Sequence, residues 1–285
     1  MVLIVVLSVI FTTVHSTGLE TALQFGANNN SYVLLMPDLT PARDEVTVCS
    51  WVKRMSNHRD SWQFWLSFAT RKNAYELNLS DVGNLYFLQD LTYNTLPNET
   101  RTTIDEWHHI CATWGFSNHT TFIYFDGELA GTKSTWPDRK LRNPGSLMLG
   151  QFHSGYGGGN IEENGYFGGQ LYDLNIYSKQ LTGVQIKEMF DQNRCSSNMN
   201  MQTFGKERII RWKEILKEER HGNVTEVLLD CASGWDVLYK DEFYNKEISE
   251  NLIEDLETLK DLLQEFEGYK IDQKLIEHMK KHHDV

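Results

Sequence analysis

The chain has 285 residues, of which 27 are basic and 39 are acidic, so its formal net charge is −12. This excess of negative charge argues against nucleic acid or an anionic membrane surface as the main partner. The length exceeds that of an average domain. Because all-β sandwiches commonly run to about 200 to 250 residues as one unit, a single large domain with an appendage is the simplest interpretation.

The first 16 residues have the features of a secretory signal peptide. Residues 2–11 are apolar apart from Ser8, and residues 14–16 supply small side chains at the positions that a signal peptidase inspects. The apolar run is too short to span a membrane, and no other segment reaches about 18 uninterrupted apolar residues. The alternative is a buried N-terminal strand. The sequence therefore predicts a signal peptide at 1–16 and a mature chain that is secreted, extracellular and without a membrane span.

Two consecutive segments near the middle of the chain have strand patterns. Residues 107–114 alternate around Cys111, which lies between two tryptophans, and residues 121–129 alternate apolar and polar side chains. The second segment runs into Asp126-Gly127. Because both residue types tolerate positive φ, this dipeptide predicts a tight hairpin.

The first of these segments resembles the pentraxin signature, which runs His, any, Cys, any, Ser or Thr, Trp, any, Ser or Thr. Four of its five fixed positions are matched, by His109, Cys111, Thr113 and Trp114. The fifth is occupied by Phe116, which departs from the signature.

Further segments match the pentraxin family in the same order along the chain, at residues 46–51, 67–71, 149–151, 168–177 and 210–212. The resemblance implies a mainly β fold, a two-sheet antiparallel jelly-roll sandwich of the concanavalin/LamG type with one helix on the sheet. It places the pentraxin-like domain at 17–231, with 210–212 as its terminal strand.

Four cysteines in a secreted chain suggest two disulfides, and four sites permit three pairings. The resemblance selects Cys49 with Cys111, which leaves Cys195 with Cys231. Five glycosylation sequons fit the same compartment. They lie at Asn29, Asn78, Asn98, Asn118 and Asn223.

A helix is predicted after residue 182. Thr182 is a suitable N-cap with Gln185 three residues later, and Ile186, Met189 and Phe190 share one helical face. The pentraxin resemblance places a helix across a sheet face at this point.

Residues 232–285 form a distinct acidic helical tail with 14 acidic residues, 7 lysines and no arginine. Its apolar side chains recur four and three residues apart, which is heptad spacing. They are Leu252, Leu256, Leu259, Leu263 and Phe266. The alternatives are a helical hairpin packed on its own domain or a neighbour, a self-assembly segment, or a solvated tail.

The resemblance also implies two calcium ions, which pentraxins hold with oxygen ligands from two loops. The seven corresponding positions in this chain are Ala74, Tyr75, Phe152, His153, Ser154, Glu162 and Gly165. Only one of them offers a carboxylate, so the sequence predicts no cofactor and no calcium at the two-ion site. A shift of register would leave Glu162, Glu163 and Asn164 as weak metal candidates.

No catalytic residue is predicted. Glycosidases of this architecture need two carboxylates about 5 to 9 Å apart across a cleft, whereas Glu162 and Glu163 are adjacent and point to opposite faces. His108 and His109 also alternate along their strand, which predicts one core and one surface histidine rather than a metal pair.

The resemblance therefore implies a secreted, lectin-like, non-catalytic recognition protein. Its ligands would be saccharides, phosphocholine-like groups or other surface ligands, and its partners an extracellular glycan, a lipid headgroup or a cell-surface protein. The multivalent rings of the family imply a homo-oligomer. The alternative is a structural or adhesion module that makes protein contacts and binds no small molecule.

Overall fold

The computed structural model describes residues 19–39, 42–55, 62–73, 75–81, 85–89, 92–95, 102–115, 119–134, 140–192, 207–230 and 236–238. Its strands are β1 Leu19–Phe25, β2 Tyr32–Leu35, β3 Glu45–Arg54, β4 Gln63–Thr70, β5 Leu77–Asp81, β6 Leu85–Gln89, β7 Thr92–Thr95, β8 Trp107–Gly115, β9 Thr120–Phe125, β10 Glu128–Ser134, β11 Gly145–Leu149, β12 Gln151–Gly155, β13 Gly159–Tyr166, β14 Gly169–Tyr177, β15 Arg208–Ile210, β16 Arg220–His221, β17 Val224–Asp230 and β18 Asp236–Leu238. Its helices are α1 Gly183–Gln192 and α2 Trp212–Ile215. Outside the described residues lie the signal peptide 1–16, Asn98, Asn118, Cys195, Cys231 and the apolar seam of the tail, and the expectations about them stay predictions.

Two antiparallel sheets form the predicted sandwich. The first runs in the order β10-β9-β8-β3-β14-β1-β17, with β15 beside β14, and the second in the order β16-β2-β11-β4-β5-β6-β7. Phe25 of the first sheet and Trp65 of the second both lie against Phe167, with ring centroids 6.1 and 6.4 Å away. Strands β12 and β13 form a separate two-stranded hairpin. The mainly β jelly-roll prediction is confirmed.

The turn between β9 and β10 is the predicted Asp126-Gly127 turn. Asp126 and Gly127 adopt φ angles of 49° and 80°, and a two-residue hairpin of type I′ requires positive φ at both central residues. The Asp126 carboxylate also accepts a 2.8 Å hydrogen bond from the backbone N–H of His109. This bond attaches the turn to strand β8.

A disulfide joins the neighbouring strands β3 and β8. Cys49 and Cys111 are direct partners in the strand register, and their sulfur atoms are bonded. Both are buried in a cluster that includes Ile186 and Met189 of helix α1. The Cys49–Cys111 pairing that the resemblance implied is therefore present.

Helix α1 begins where the sequence predicts. The Thr182 hydroxyl accepts a 3.3 Å hydrogen bond from the Gln185 backbone N–H, and the Gln185 side-chain oxygen accepts a 2.9 Å bond from the Thr182 backbone N–H. This reciprocal capping box satisfies two donors that the helix itself leaves unpaired.

Asn78 is a sequon that the structure contradicts. It lies in β5 between β4 and β6, and 0% of its surface is exposed. A glycan on this side chain would have no room inside the sheet, so the expected glycosylation at Asn78 is wrong. The sequon is a three-residue signal that carries no information on burial. Of the other described sequons, Asn223 is exposed and Asn29 is half-buried.

The segment expected as the terminal strand also differs from the prediction. Strand β15 ends at Ile210 and Trp212 begins helix α2. The Trp212 backbone N–H donates to Asn175 Oδ1 at 3.2 Å, and its indole N–H donates to the Thr21 carbonyl at 2.9 Å. Because these bonds hold Trp212 against β1 and β14, the chain turns there, and β17 becomes the strand that pairs with β1.

Among the described residues, no helix combines the length and apolar character needed to cross a membrane. The chain divides into two compact units, residues 1–236 and residues 237–285.

Candidate functional site

The two loops that the resemblance assigns to calcium meet in the structure. The first loop, between β4 and β5, carries Tyr75, and the second enters β12 with Phe152. Their rings stack with centroids 5.5 Å apart and an interplanar angle of 25°. The loops therefore come together through aromatic rings rather than through oxygen ligands.

Phe152 occupies the centre of this junction. Its ring lies 4.6 Å from that of Phe64, and only 6% of its surface is exposed. A Cβ atom at position 165 would lie 2.6 Å from the Cβ atom of Phe152, so Gly165 leaves room for the ring. A larger side chain there would have to displace Phe152.

These residues do not suit a calcium ion. Calcium takes about six to eight oxygen ligands, and Tyr75, Phe152 and Gly165 pack together at three of the seven corresponding positions. A fourth, His153, directs its ring nitrogens to serine hydroxyls. Ala74 lies outside the described residues. The absence of calcium from this site remains a prediction.

The weak metal candidates lie on a bulge of β13. The pairing of β12 with β13 shifts register between Gln151 and His153. The extra residues of β13 expose Glu162, Glu163 and Asn164. Gln151 donates a 2.5 Å side-chain hydrogen bond to the Glu162 carbonyl, which fixes the bulge at its base.

Within the part of the chain that the structure describes, one group of three potential metal ligands converges, at Cys49, His109 and Cys111. Two of these are joined in the disulfide. The carboxylates of the β13 bulge belong to no such group among the described residues.

His153 lies buried between the hairpin and the second sheet. Its Nδ1 is 2.6 Å from Ser67 Oγ on β4, and its Nε2 is 2.9 Å from Ser146 Oγ on β11. Burial lowers the pKa of His153 to about 4, although hydrogen bonding to Ser146 opposes the shift. At neutral pH the imidazole is therefore uncharged and links two strands to the hairpin.

Two further aromatic contacts lie at the two ends of strand β4. Trp62 stacks on Phe64 with centroids 5.9 Å apart, and the Arg71 guanidinium lies 4.8 Å from the centre of the Tyr156 ring. Trp62, Tyr75 and Tyr156 are half-buried, and Arg71 is exposed. Trp62 therefore extends the aromatic surface of the junction through Phe64, whereas Arg71 and Tyr156 pair at the other end of β4.

Comparison with known proteins identifies the fold and the family. The sequence profile described as the concanavalin A-like lectin/glucanases superfamily matches residues 26–187. Human pentraxin-related protein PTX3 is 27% identical over 192 residues, covering 66% of this chain and 50% of that protein. C-reactive protein 1.1 of Limulus polyphemus is 27% identical over 204 residues, covering 70% and 81%. The chain belongs to the pentraxin family.

A solved structure supports the fold of this pentraxin. The native heptameric SAP-like pentraxin from Limulus polyphemus superimposes with a TM-score of 0.58 at 22% identity, covering 73% of this chain and 94% of that one. The chain spans about half the length of the PTX3 relatives that it matches.

A buried polar layer that the sequence analysis missed adjoins the aromatic junction of this pentraxin. In the register of β4 and β5, Ser80 pairs with Phe64 and Asn78 with Ser67. The Asn78 amide and the Ser80 hydroxyl are buried and have no hydrogen-bond partner among the described residues. The sequence signal for this layer is the alternation of apolar and polar side chains at residues 77–80. Such alternation ordinarily predicts that the polar side chains face solvent, whereas in the structure both faces of β5 are buried.

The two histidines of β8 are both buried, which corrects the expectation of one surface histidine. His108 is 9% exposed, with Nδ1 2.9 Å from Asp126 Oδ2 and Nε2 2.8 Å from Thr103 Oγ1. His109 is 2% exposed and lies 5.1 Å from the Trp51 ring. Burial lowers the pKa of His109 to about 4, with a smaller opposing effect of Asp126. The hairpin turn covers His108, and a strand pattern alone does not reveal that cover.

Proposed function

We propose that this pentraxin is a secreted, non-catalytic recognition protein that binds saccharides on surfaces without calcium. The observation that supports the proposal is the stack of Tyr75 on Phe152 at the position where the resemblance expects metal ligands. On this proposal the ligand binds at the same two loops as in the family, but aromatic rings contact it in place of calcium ions.

Aromatic faces can replace a metal in this role. Ligand sites are commonly lined by apolar and aromatic side chains, with a few polar groups that fix orientation. Trp62 and Tyr75 supply half-exposed rings on either side of the Phe64 and Phe152 rings. A pyranose can place its C–H face on one of these rings. A phosphocholine-like group could use the same rings through its ammonium.

A non-catalytic role agrees with the surrounding carboxylates. Glu162 and Glu163 are exposed neighbours on one bulge, and glycoside hydrolysis needs two carboxyl groups opposed across the scissile bond. Their arrangement supports binding without hydrolysis.

Secretion and self-association complete the proposal. The Cys49–Cys111 disulfide is typical of an oxidising compartment. The Limulus structure is described as heptameric, and a ring of this chain would strengthen weak sites by multivalent contact with one surface. The net charge of −12 disfavours nucleic acid as a ligand.

Binding of the full secreted chain to a glycan array is the test of this proposal. We expect saturable binding to a defined set of saccharides that EDTA does not reduce. The Tyr75→Ala variant should bind about ten-fold more weakly, because losing one contacting ring removes roughly 1.4 kcal/mol of interaction.

Tyr32→Ala provides the matched control. Tyr32 is also half-buried and stacks on a ring, that of His221, with centroids 4.5 Å apart. It lies on β2, separated from β4 by β11, so its loss should leave binding unchanged. No binding to any saccharide or phosphocholine spot of the array would favour the adhesion role instead. Binding abolished by EDTA would contradict the metal-free mechanism.

A further inference from the structure

The hairpin β12–β13 has an unusual attachment to the body of the sandwich. It follows β11 directly and contacts β4 and β11, yet it forms its own two-stranded sheet rather than extending either large one. No ladder of backbone hydrogen bonds therefore has to break for it to separate. Side-chain packing, including that of Phe152 on Phe64, and hydrogen bonds that involve side chains hold it in place.

The hydrogen bonds of this attachment converge on two serines. Ser67 Oγ donates to the Gln151 carbonyl at 2.9 Å, and the Gly157 backbone N–H donates to Ser146 Oγ at 3.0 Å. The imidazole of His153 bridges the two hydroxyls, at 2.6 Å from Ser67 Oγ and 2.9 Å from Ser146 Oγ. One buried ring thus connects the hairpin to both strands beneath it.

A neutral imidazole satisfies this network. If Ser67 donates to the Gln151 carbonyl, its oxygen is free to accept from the Nδ1–H of His153. Ser146 Oγ accepts from Gly157 and also lies 3.3 Å from the Ala69 carbonyl, so its one hydrogen can go to that carbonyl or to Nε2. A neutral ring with one N–H satisfies the network in either arrangement.

Among the described residues, no acidic group contributes electrostatically at His153 to compensate a positive charge on its ring. Strands β4 and β11 contain no charged residue. The charged and titratable groups on the flanking segments are Arg71 and Lys72 after β4, and Tyr156, Glu162, Glu163 and Tyr166 on the hairpin. Each is exposed or half-exposed, and none of them contributes to the lowered pKa of His153, which arises from burial and is opposed by hydrogen bonding to Ser146. Burying an uncompensated charge is strongly unfavourable.

We propose that His153 is a proton-operated latch, whose protonation releases the β12–β13 hairpin from the second sheet. Ser67, Ser146 and His153 are the parts of the latch. Release would displace Phe152 from Phe64 and Tyr75 and carry the exposed bulge of β13 with it. The latch concerns the attachment of the hairpin and does not depend on which ligand the protein binds.

The direction of the pH dependence follows from the two states. The docked hairpin holds His153 with a pKa of about 4, whereas the released hairpin exposes it at the ordinary value of 6.5. The docked state is therefore fully stabilised above pH 6.5 and loses stability as the pH falls toward 4. Between pH 7.5 and pH 5.0 the equilibrium should shift toward release by about 30-fold.

Hydrogen exchange measured by mass spectrometry on the full chain tests the latch. Rates are compared at pH 7.5 and pH 5.0 after correction for intrinsic exchange. Peptides covering 151–166 should become about 30-fold less protected at pH 5.0. They should also stay less protected than peptides from β3 and β8, which report the opening of the whole domain and therefore include the effect of His109. The His153→Gln variant, which keeps a hydrogen-bonding amide but cannot take up a proton, should show no such change.

Three results would overturn the latch. The hairpin peptides could show the same protection at both pH values, they could respond equally in His153→Gln, or they could open only together with β3 and β8. Should the variant not fold, NMR titration of the His153 ring in the wild-type chain decides the question. Coincidence of its titration with hairpin opening supports the latch, and opening without its titration refutes it.

Discussion

Replacing Cys49 and Cys111 together by alanine is expected to lower the free energy of unfolding by about 4 kcal/mol. The disulfide spans 62 residues of sequence, and closing a loop of that length restricts the unfolded chain. Both sulfur atoms are also buried under helix α1, so their loss would loosen the packing of Ile186 and Met189. Urea unfolding of the double variant and the wild type under identical non-reducing conditions measures the difference.

Chemical reduction of the wild-type chain is the control for this experiment. Reduction leaves both cysteines in place, so a similar loss of stability would assign the effect to the covalent bond. A double variant within about 1 kcal/mol of the wild type would contradict the role given to the disulfide.

Acidification from pH 7 to pH 4 is expected to destabilise the domain by about 3 kcal/mol through His109 alone. Burial beside Trp51 and the disulfide lowers the pKa of His109 to about 4, against 6.5 for an exposed histidine. Because the folded-state pKa is lowered, the stabilisation is fully present above pH 6.5 and is lost as the pH falls to 4. Urea unfolding at a series of pH values measures this slope.

The His109→Phe variant isolates this contribution. A phenyl ring keeps the aromatic contact with Trp51 but cannot be protonated, so the loss of stability should shrink by about 3 kcal/mol. Two carboxyls, one half-buried and one buried, titrate with the opposite sign. Burial raises the pKa of Glu20 and Glu76, so their protonation favours the fold as the pH falls. An unchanged pH dependence in His109→Phe would show that other groups control acid unfolding.

Local patterns in the sequence predicted the parts of the fold that local physics determines. The Asp126-Gly127 turn depends on two residues that accept positive φ, and the start of α1 depends on the reciprocal bonds of Thr182 and Gln185. Each signal lies within four residues, so neighbouring sequence is enough to read it.

Features that depend on contacts between residues far apart in sequence could not be predicted from local patterns. Asn78 has a polar side chain in an alternating strand, and only the assembled sheet shows that it is enclosed. The cover over His108 comes from Asp126, eighteen positions away. Trp212 ends a strand because it bonds to residues on two other strands. In each case a partner far away in sequence decides the outcome.

The candidate site was predictable in part. The resemblance indicated that the positions of Tyr75 and Phe152 lack calcium ligands, and the structure brings those two positions into contact. That they form an aromatic stack, with Gly165 leaving room for Phe152, requires the three-dimensional arrangement of two loops. The bridging role of His153 likewise depends on serines from β4 and β11, which no sequence motif connects.

Calorimetric titration of the full chain with calcium tests most directly the proposal that this pentraxin recognises ligands without metal. Only Glu162 offers a carboxylate at the seven positions that correspond to the family's calcium ligands, and several of those positions are packed with rings. We therefore expect no binding heat up to millimolar calcium, since too few oxygens are present to replace the hydration of the ion. Two sites of micromolar affinity would contradict the account and would assign the β13 bulge, with Glu162, Glu163 and Asn164, to a rebuilt calcium loop.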